Sequence, residues 1–215
     1  MKNKKAFTIA EISVVLGLIV LTALLVIPNL IEDNKKLDII SKWKNSYQNI
    51  EYVFSVLSAQ VTDTDDIQFK KAKTIEEKEN LLFELLNPYF RMKEEVSLKN
   101  YKAYYLNGAE VKQNEEFYID NLHKTLSGKI VGVKWLNDSE QYVDSMPIAL
   151  ISVDLNGMEK PNKWGYDIFG VYIFRKKIEP VGKTSDEYLM KTDCSKKGKG
   201  ISCSYYYYIY GGQLR

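Results

Sequence analysis

Few side chains in this 215-residue chain could do chemistry, and most of those lie in its last third. Asp154, Asn156, Asn162 and Asp167 fall within VDLNGMEKPNKWGYDIF, residues 153–169, and could offer oxygens to a hard cation such as calcium. The spacing is not that of an EF-hand, because the ladder of acids and the closing glutamate are missing. The same residues also have a plain structural reading. Asn156-Gly157 is a turn signal in its own right, and Asp167 can cap a turn. Any metal held here would be structural. Cys194 and Cys203 are the only cysteines, and Gly198 and Gly200 between them let the chain turn back on itself. Two thiolates without neighbouring ligands make neither a redox motif nor a zinc site. The single histidine, His123, reads as surface or strand-end structure. No nucleophile elbow, phosphate-binding glycine loop or cluster of metal-ligating histidines is present, so the expectation is a protein that is not an enzyme.

The elements that must position these residues begin with one long apolar run. From Ile12 to Ile31, ISVVLGLIVLTALLVIPNLI has no charge across 20 residues. At about 1.5 Å per residue this makes roughly 30 Å of helix, the thickness of a bilayer's hydrocarbon core. A secretory signal peptide and an uncleaved signal anchor both fit a charged start followed by an apolar run. The run is longer than an ordinary signal core, however, and Glu11 stands at its front edge. Charge points the same way. The formal net charge is +2, but Lys2, Lys4 and Lys5 account for the excess: without the first six residues there are 27 basic against 28 acidic side chains. The basic start favours a cytoplasmic N-terminus. Nothing suggests a nucleic-acid surface, which needs Lys and Arg clustered on a folded domain.

Residues 4–31, KKAFTIAEISVVLGLIVLTALLVIPNLI, resemble the N-terminal motif of type IV prepilins and pseudopilins. That family has a short basic leader, a small residue, then Phe-Thr-x-x-Glu opening a long apolar helix. The resemblance implies a leader over residues 1–6, cleaved between Ala6 and Phe7 by a prepilin peptidase on the cytoplasmic face. Ala6 stands where the family usually has Gly. The new amine of Phe7 would be N-methylated. Glu11, the fifth residue of the mature chain, would pair with the N-terminal amine of a neighbouring subunit during assembly. A carboxylate in an apolar helix is costly and usually faces a partner, although an acid this near the helix end could instead touch water. Pro28 sits where these proteins commonly carry a proline, and a kink or loosened turn is expected there. A second likeness lies at 153–169, where Asp-x-Asn-Gly, Pro-Asn and Gly-x-Asp-x-Phe recur in a subset of bacterial prepilin-type proteins. An extracytoplasmic head implies that Cys194 and Cys203 form a disulfide.

Beyond the apolar run, Leu37, Ile40, Trp43, Tyr47, Ile50, Phe54 and Leu57 fall three or four residues apart, on one stripe of a helix. One helix is therefore expected from about Phe7 to Ala59, roughly 80 Å long, with its first half in the membrane or filament core. A coiled coil is the competing reading of the stripe. Residues 60–73 read as a polar loop, and a second helix is expected from Ile75 to about Leu86, stopped by Asn87-Pro88. Short strands follow: YKAYYL, closed by an Asn107-Gly108 turn, then EFYID, KIVGVKW, IALISVDL, FGVYIF and a final SYYYYIY.

The expected architecture is α+β, pilin-like: a long N-terminal helix packed on a small, mainly antiparallel sheet. Its divisions would be a leader (1–6), a transmembrane or assembly segment (7–31) and an extracytoplasmic head (32–215). The expected function is a structural subunit of a type IV pilus, a type II secretion pseudopilus or a competence filament. It would sit in the bacterial inner membrane before assembly, with other such subunits, the peptidase and the bilayer as partners. The alternative is a single-span anchored binding protein that does not assemble.

Overall fold

The computed structural model describes residues 8–60, 72–137, 145–183 and 185–211. The expected leader, its cleavage site at Ala6 and Phe7, and nearly all of the loop expected at 60–73 lie outside the described residues. The chain divides into two compact units, 1–38 and 39–215.

The described residues of the first unit, 8–38, are helical from Ile9 onward. Helix α1 (Ile9–Gln60) starts here and runs through Pro28. Thr8 opens it with a reciprocal cap: Thr8 N donates to Glu11 Oε2 at 2.8 Å, and Glu11 N donates to Thr8 Oγ1 at 3.3 Å. The stretch Ile9–Pro28 is long and apolar enough to cross a membrane, and none of it is buried within the chain. Its two hydroxyls are turned inward on the helix backbone, Ser13 to Ile9 O and Thr22 to Leu18 O. This removes them from competition with an apolar surround.

In the second unit a six-stranded sheet carries the core. Its strands are β1 (Met92–Glu95), β2 (Asn121–Thr125), β3 (Ile130–Trp135), β4 (Ala149–Asp154), β5 (Ile168–Ile173) and β6 (Ile178–Pro180). They pair in sequence order, every pair antiparallel. Both faces are covered, which is why β3, β4 and β5 read as nearly continuous apolar runs rather than alternating ones. On one face Val133, Ile151 and Phe169 meet Ile40, Trp43, Tyr47, Ile50 and Phe54 of α1 and helix α2 (Ile75–Phe90). The stripe thus packs into the core from Ile40 onward, while Leu37, in the other unit, is 53% exposed. The side chain of Leu57 lies outside what is described.

On the opposite face Ile130, Leu150 and Ile168 meet Tyr101, Tyr105, Val111 and Trp164. Gly132, Ser152 and Gly170 pair across neighbouring strands. A β-carbon at Gly170 would approach the Trp164 ring to 2.9 Å, so this row of small residues lets the covering segment lie close.

Four sequence expectations need correction. SYYYYIY is helix α4 (Cys203–Tyr210), not a strand. The Trp43 indole N–H donates to Ser204 O at 2.8 Å, and Tyr207 packs edge-on to Phe169, so docking on α1 and β5 overrides tyrosine's preference for strands. YKAYYL forms no strand beyond a bridge at Tyr104, although the Asn107-Gly108 turn is present, with Gly108 N donating to Tyr105 O. EFYID is turn and loop, and the strand begins just after it at Asn121. Helix α2 also outruns its expected stop. Pro88 lies inside it and the helix ends at Phe90, where Arg91 takes a left-handed cap. A further short helix, α3 (Glu187–Asp193), precedes the first cysteine. His123 belongs to β2, with its ring against Phe83 at 4.1 Å and a buried Nδ1 that has no hydrogen-bond partner among the described residues.

Candidate cation site and the disulfide loop

Strands β4 and β5 bring two carboxylates together. β4 ends at Asp154, β5 begins just after Asp167, and Leu155 N donates to Asp167 O at 2.9 Å to close the connection. Asp154 is 2% exposed and Asp167 is fully buried. Among the described residues neither is ion-paired. The intervening loop folds back to donate to them. Asn156 N and Gly157 N both reach Asp154 Oδ1, at 3.2 and 2.9 Å. Asn162 N reaches Asp167 Oδ2 at 3.0 Å, Asn156 Nδ2 reaches the same oxygen at 3.2 Å, and Lys163 N donates to Asp167 Oδ1. Asn162 adopts a left-handed backbone (φ 50°), the conformation that asparagine tolerates better than most residues.

All four oxygen-bearing residues singled out in the sequence therefore share one loop. A fifth was not foreseen. The Tyr101 O–H, from a segment 53 residues away, donates to Asp154 Oδ2 at 2.7 Å. Each carboxylate oxygen has two lone pairs. By that count Asp154 Oδ1 and Asp167 Oδ2 are filled, and Asp154 Oδ2 and Asp167 Oδ1 each keep one position.

The two amides carry the more telling feature. Asn156 Oδ1 and Asn162 Oδ1 are buried and have no hydrogen-bond partner among the described residues. Neither amide can be turned over to cure this. Their Nδ2 groups already face acceptors, Asp167 Oδ2 for Asn156 and Lys102 O for Asn162. A flip would put oxygen against oxygen. Asn162 is only 7% exposed, so its orphan oxygen has lost water without replacement, a cost of about 1–3 kcal/mol.

Electrostatics agree. Burial pushes the Asp167 carboxyl up to about 6, against the loop N–H donors that favour its charged form. Burial raises Asp154 well above the usual carboxylate range, with the neighbouring Asp167 adding to the effect. A hard divalent cation would offset both charges and use the orphan oxygens. Among the described residues no three His, Cys, Asp or Glu side chains gather as a metal cluster. Two carboxylates and two amides are the all-oxygen chemistry that calcium or magnesium takes, in contrast to the nitrogen and sulfur ligands that zinc favours.

Beside this loop lies the disulfide. Cys194 and Cys203 are bonded, closing the loop 195–202 between α3 and α4. Asp193, at the end of α3, holds it in place, accepting from Lys199 N at 3.0 Å and Ser202 N at 2.7 Å. The two loops touch at glycines. A β-carbon on Gly165 would lie 2.4 Å from Gly200 O and 2.7 Å from Cys203 Sγ, so only glycine fits there. Residues 101–107 bridge the pair: Tyr104 N donates to Asn162 O, Trp164 N to Tyr104 O, Leu106 N to Lys199 O and Asn107 N to Gly198 O.

Glu11 is in the other unit. Its Oε2 also accepts the Thr8 hydroxyl at 2.9 Å, so within one chain that oxygen is occupied in capping.

No protein-family model matches the chain, and neither the curated proteins nor the solved structures include a match.

Proposed function

We propose that this protein is a membrane-anchored structural subunit that assembles through its N-terminal helix into a filament of the type IV pilus or type II secretion pseudopilus kind. The observation that carries this reading is the stretch Ile9–Pro28: an unburied apolar helix whose hydroxyls are bonded to its own backbone. Such a helix needs lipid or other apolar helices around it. The motif Phe7-Thr8-x-x-Glu11 and the basic residues before it add the family resemblance. On this reading the chain is cleaved before Phe7, and Glu11 exchanges its cap for a neighbour's terminal amine. The head remains outside the inner membrane, where its disulfide persists. The alternative is a single-span anchored protein that stays monomeric.

The test is the N-terminal residue and mass of the mature protein, purified from native membranes. Phe7 at the start, with or without an added methyl, supports the assembling subunit. A start at Met1 points to a plain anchor, and one near Leu24 to a secreted domain. Replacing Glu11 then separates the two anchored readings, because only an assembling subunit loses its multimers.

A second reading concerns the head. The orphan Asn156 and Asn162 oxygens beside Asp154 and Asp167 favour a structural hard cation, calcium before magnesium because calcium tolerates irregular oxygen cages. Calorimetric titration of chelator-treated protein with calcium chloride measures it. Heat of binding in the wild type that disappears in Asp167→Asn supports the site.

A further inference from the structure

The cation reading names four residues of one loop, but the geometry reaches outside it. Tyr101 is buried among apolar side chains, and a buried phenol keeps its O–H paired. Here the acceptor is Asp154 Oδ2, the one oxygen of that carboxylate with a position left for a cation. Asp154 also ends β4, so its backbone is fixed by the ladder to β3 and β5. The loop N–H groups hold Oδ1, and Tyr101 alone among the described residues holds Oδ2. The carboxylate plane is thus set by two elements distant in sequence.

The chain leaving Tyr101 goes on to the second loop. Asn162 Nδ2 donates to Lys102 O at 3.4 Å, and Asn162 O accepts Tyr104 N at 2.9 Å. Two and three residues further, Leu106 N and Asn107 N donate to Lys199 O and Gly198 O, inside the loop closed by Cys194 and Cys203. Lys199 also lays its ammonium 4.7 Å over the Tyr105 ring. One continuous strap therefore contacts the candidate site at one end and the disulfide loop at the other.

We infer that Tyr101 is a positioning residue for the cation site, orienting Asp154 Oδ2 and carrying the filling of the site along residues 101–107 to the disulfide loop. The inference rests on the cation reading above. A group that orients a metal ligand from behind commonly changes metal affinity about 10- to 100-fold when removed. Coupling between two sites is reciprocal, so the strap should tighten when the cation binds.

The experiment uses full-length protein in detergent, stripped with a chelator and titrated with calcium chloride. Calorimetry gives the dissociation constant, and hydrogen exchange follows the amides of Leu106 and Asn107. Wild-type protein is expected to bind calcium and to slow exchange at both amides. Tyr101→Phe keeps the ring and removes the donor. It is expected to weaken binding at least tenfold and to abolish the calcium-dependent protection. A purely structural hydroxyl would lower the melting temperature equally with and without calcium and leave the dissociation constant alone, and that result overturns the inference. If Tyr101→Phe fails to fold, wild-type exchange decides: no calcium-dependent change at Leu106 and Asn107 overturns it. If wild-type protein binds neither calcium nor magnesium, the cation reading itself falls and the inference with it. That failure shows in the wild type before any variant is made, so the two are told apart.

Discussion

Polar side chains are handled in opposite ways in the two units of this molecule. Along residues 8–28 every hydrogen bond made by Thr8, Glu11, Ser13 and Thr22 stays within one turn of helix. In residues 39–215 the buried polar groups reach far along the chain. Trp43 bonds to Ser204, Tyr101 to Asp154, Glu79 to Trp135 and Lys129 to Ser46, across 161, 53, 56 and 83 residues. A segment with its own core can satisfy polar groups by tertiary contact. One that finds its apolar partners outside the chain must satisfy them locally or leave them unmet. The difference fits the first unit's apolar stretch, which is long enough to cross a membrane and is not buried within the chain.

The sharpest way to break this contrast is Trp43→Ala. Trp43 is fully buried, stacks on Phe169 at 5.1 Å and donates to Ser204, so its loss should cost the head about 3–5 kcal/mol in denaturant unfolding. A cost near zero would mean that α1 is not integral to the head. Next in size is the disulfide. Cys194→Ser with Cys203→Ser should cost about 2.5–3 kcal/mol by loop-closure entropy, read in the same assay.

A smaller effect is expected with pH at Glu79. Its carboxylate, on α2, accepts from Trp135 N at 2.8 Å and Asn121 Nδ2 at 3.2 Å, and burial raises its pKa above the ordinary value. The folded state then holds the proton more tightly than the unfolded chain. The stability it contributes is complete below the unfolded value and is lost as pH rises through the folded one. Glu79→Gln should flatten that part of the stability profile, and an unchanged slope would dismiss the assignment. The least effect belongs to the other unit. Leu24→Ala, at an exposed apolar position, should leave head unfolding within about 0.5 kcal/mol of wild type. A larger loss would show that the head leans on this helix.

How far the sequence foretold this structure follows from how local each signal was. The α1 stripe was readable because Ile40, Trp43, Tyr47, Ile50 and Phe54 repeat at helical spacing against one core. Strands β3, β4 and β5 stood out as apolar, β-branched runs, whereas β1 (MKEE) and β6 (IEP) are short, polar edges that carry no such mark. Tyr205–Tyr208 misled because tyrosine's strand preference is a statement about pleated surfaces, and here the surface offered is the flank of α1 and β5. The donors of the candidate site were legible because Asp154, Asn156, Asn162 and Asp167 fall within one hairpin connection. Tyr101 was not. Its role depends on a meander that carries a residue across 53 positions, and nothing in YKAYYL distinguishes its first tyrosine from the others.

The bond between Trp43 and Ser204 also bears on biosynthesis. The sheet is a meander, so each strand can pair with its predecessor as soon as it emerges, at little cost in loop closure. Trp43 is made early, yet its indole partner is synthesised 161 residues later. Until then the apolar face of α1 waits without the C-terminal tyrosines that cover it. The core around Trp43 is therefore completed only when the last helix arrives, and an apolar face left uncovered until then is the kind of surface that invites aggregation.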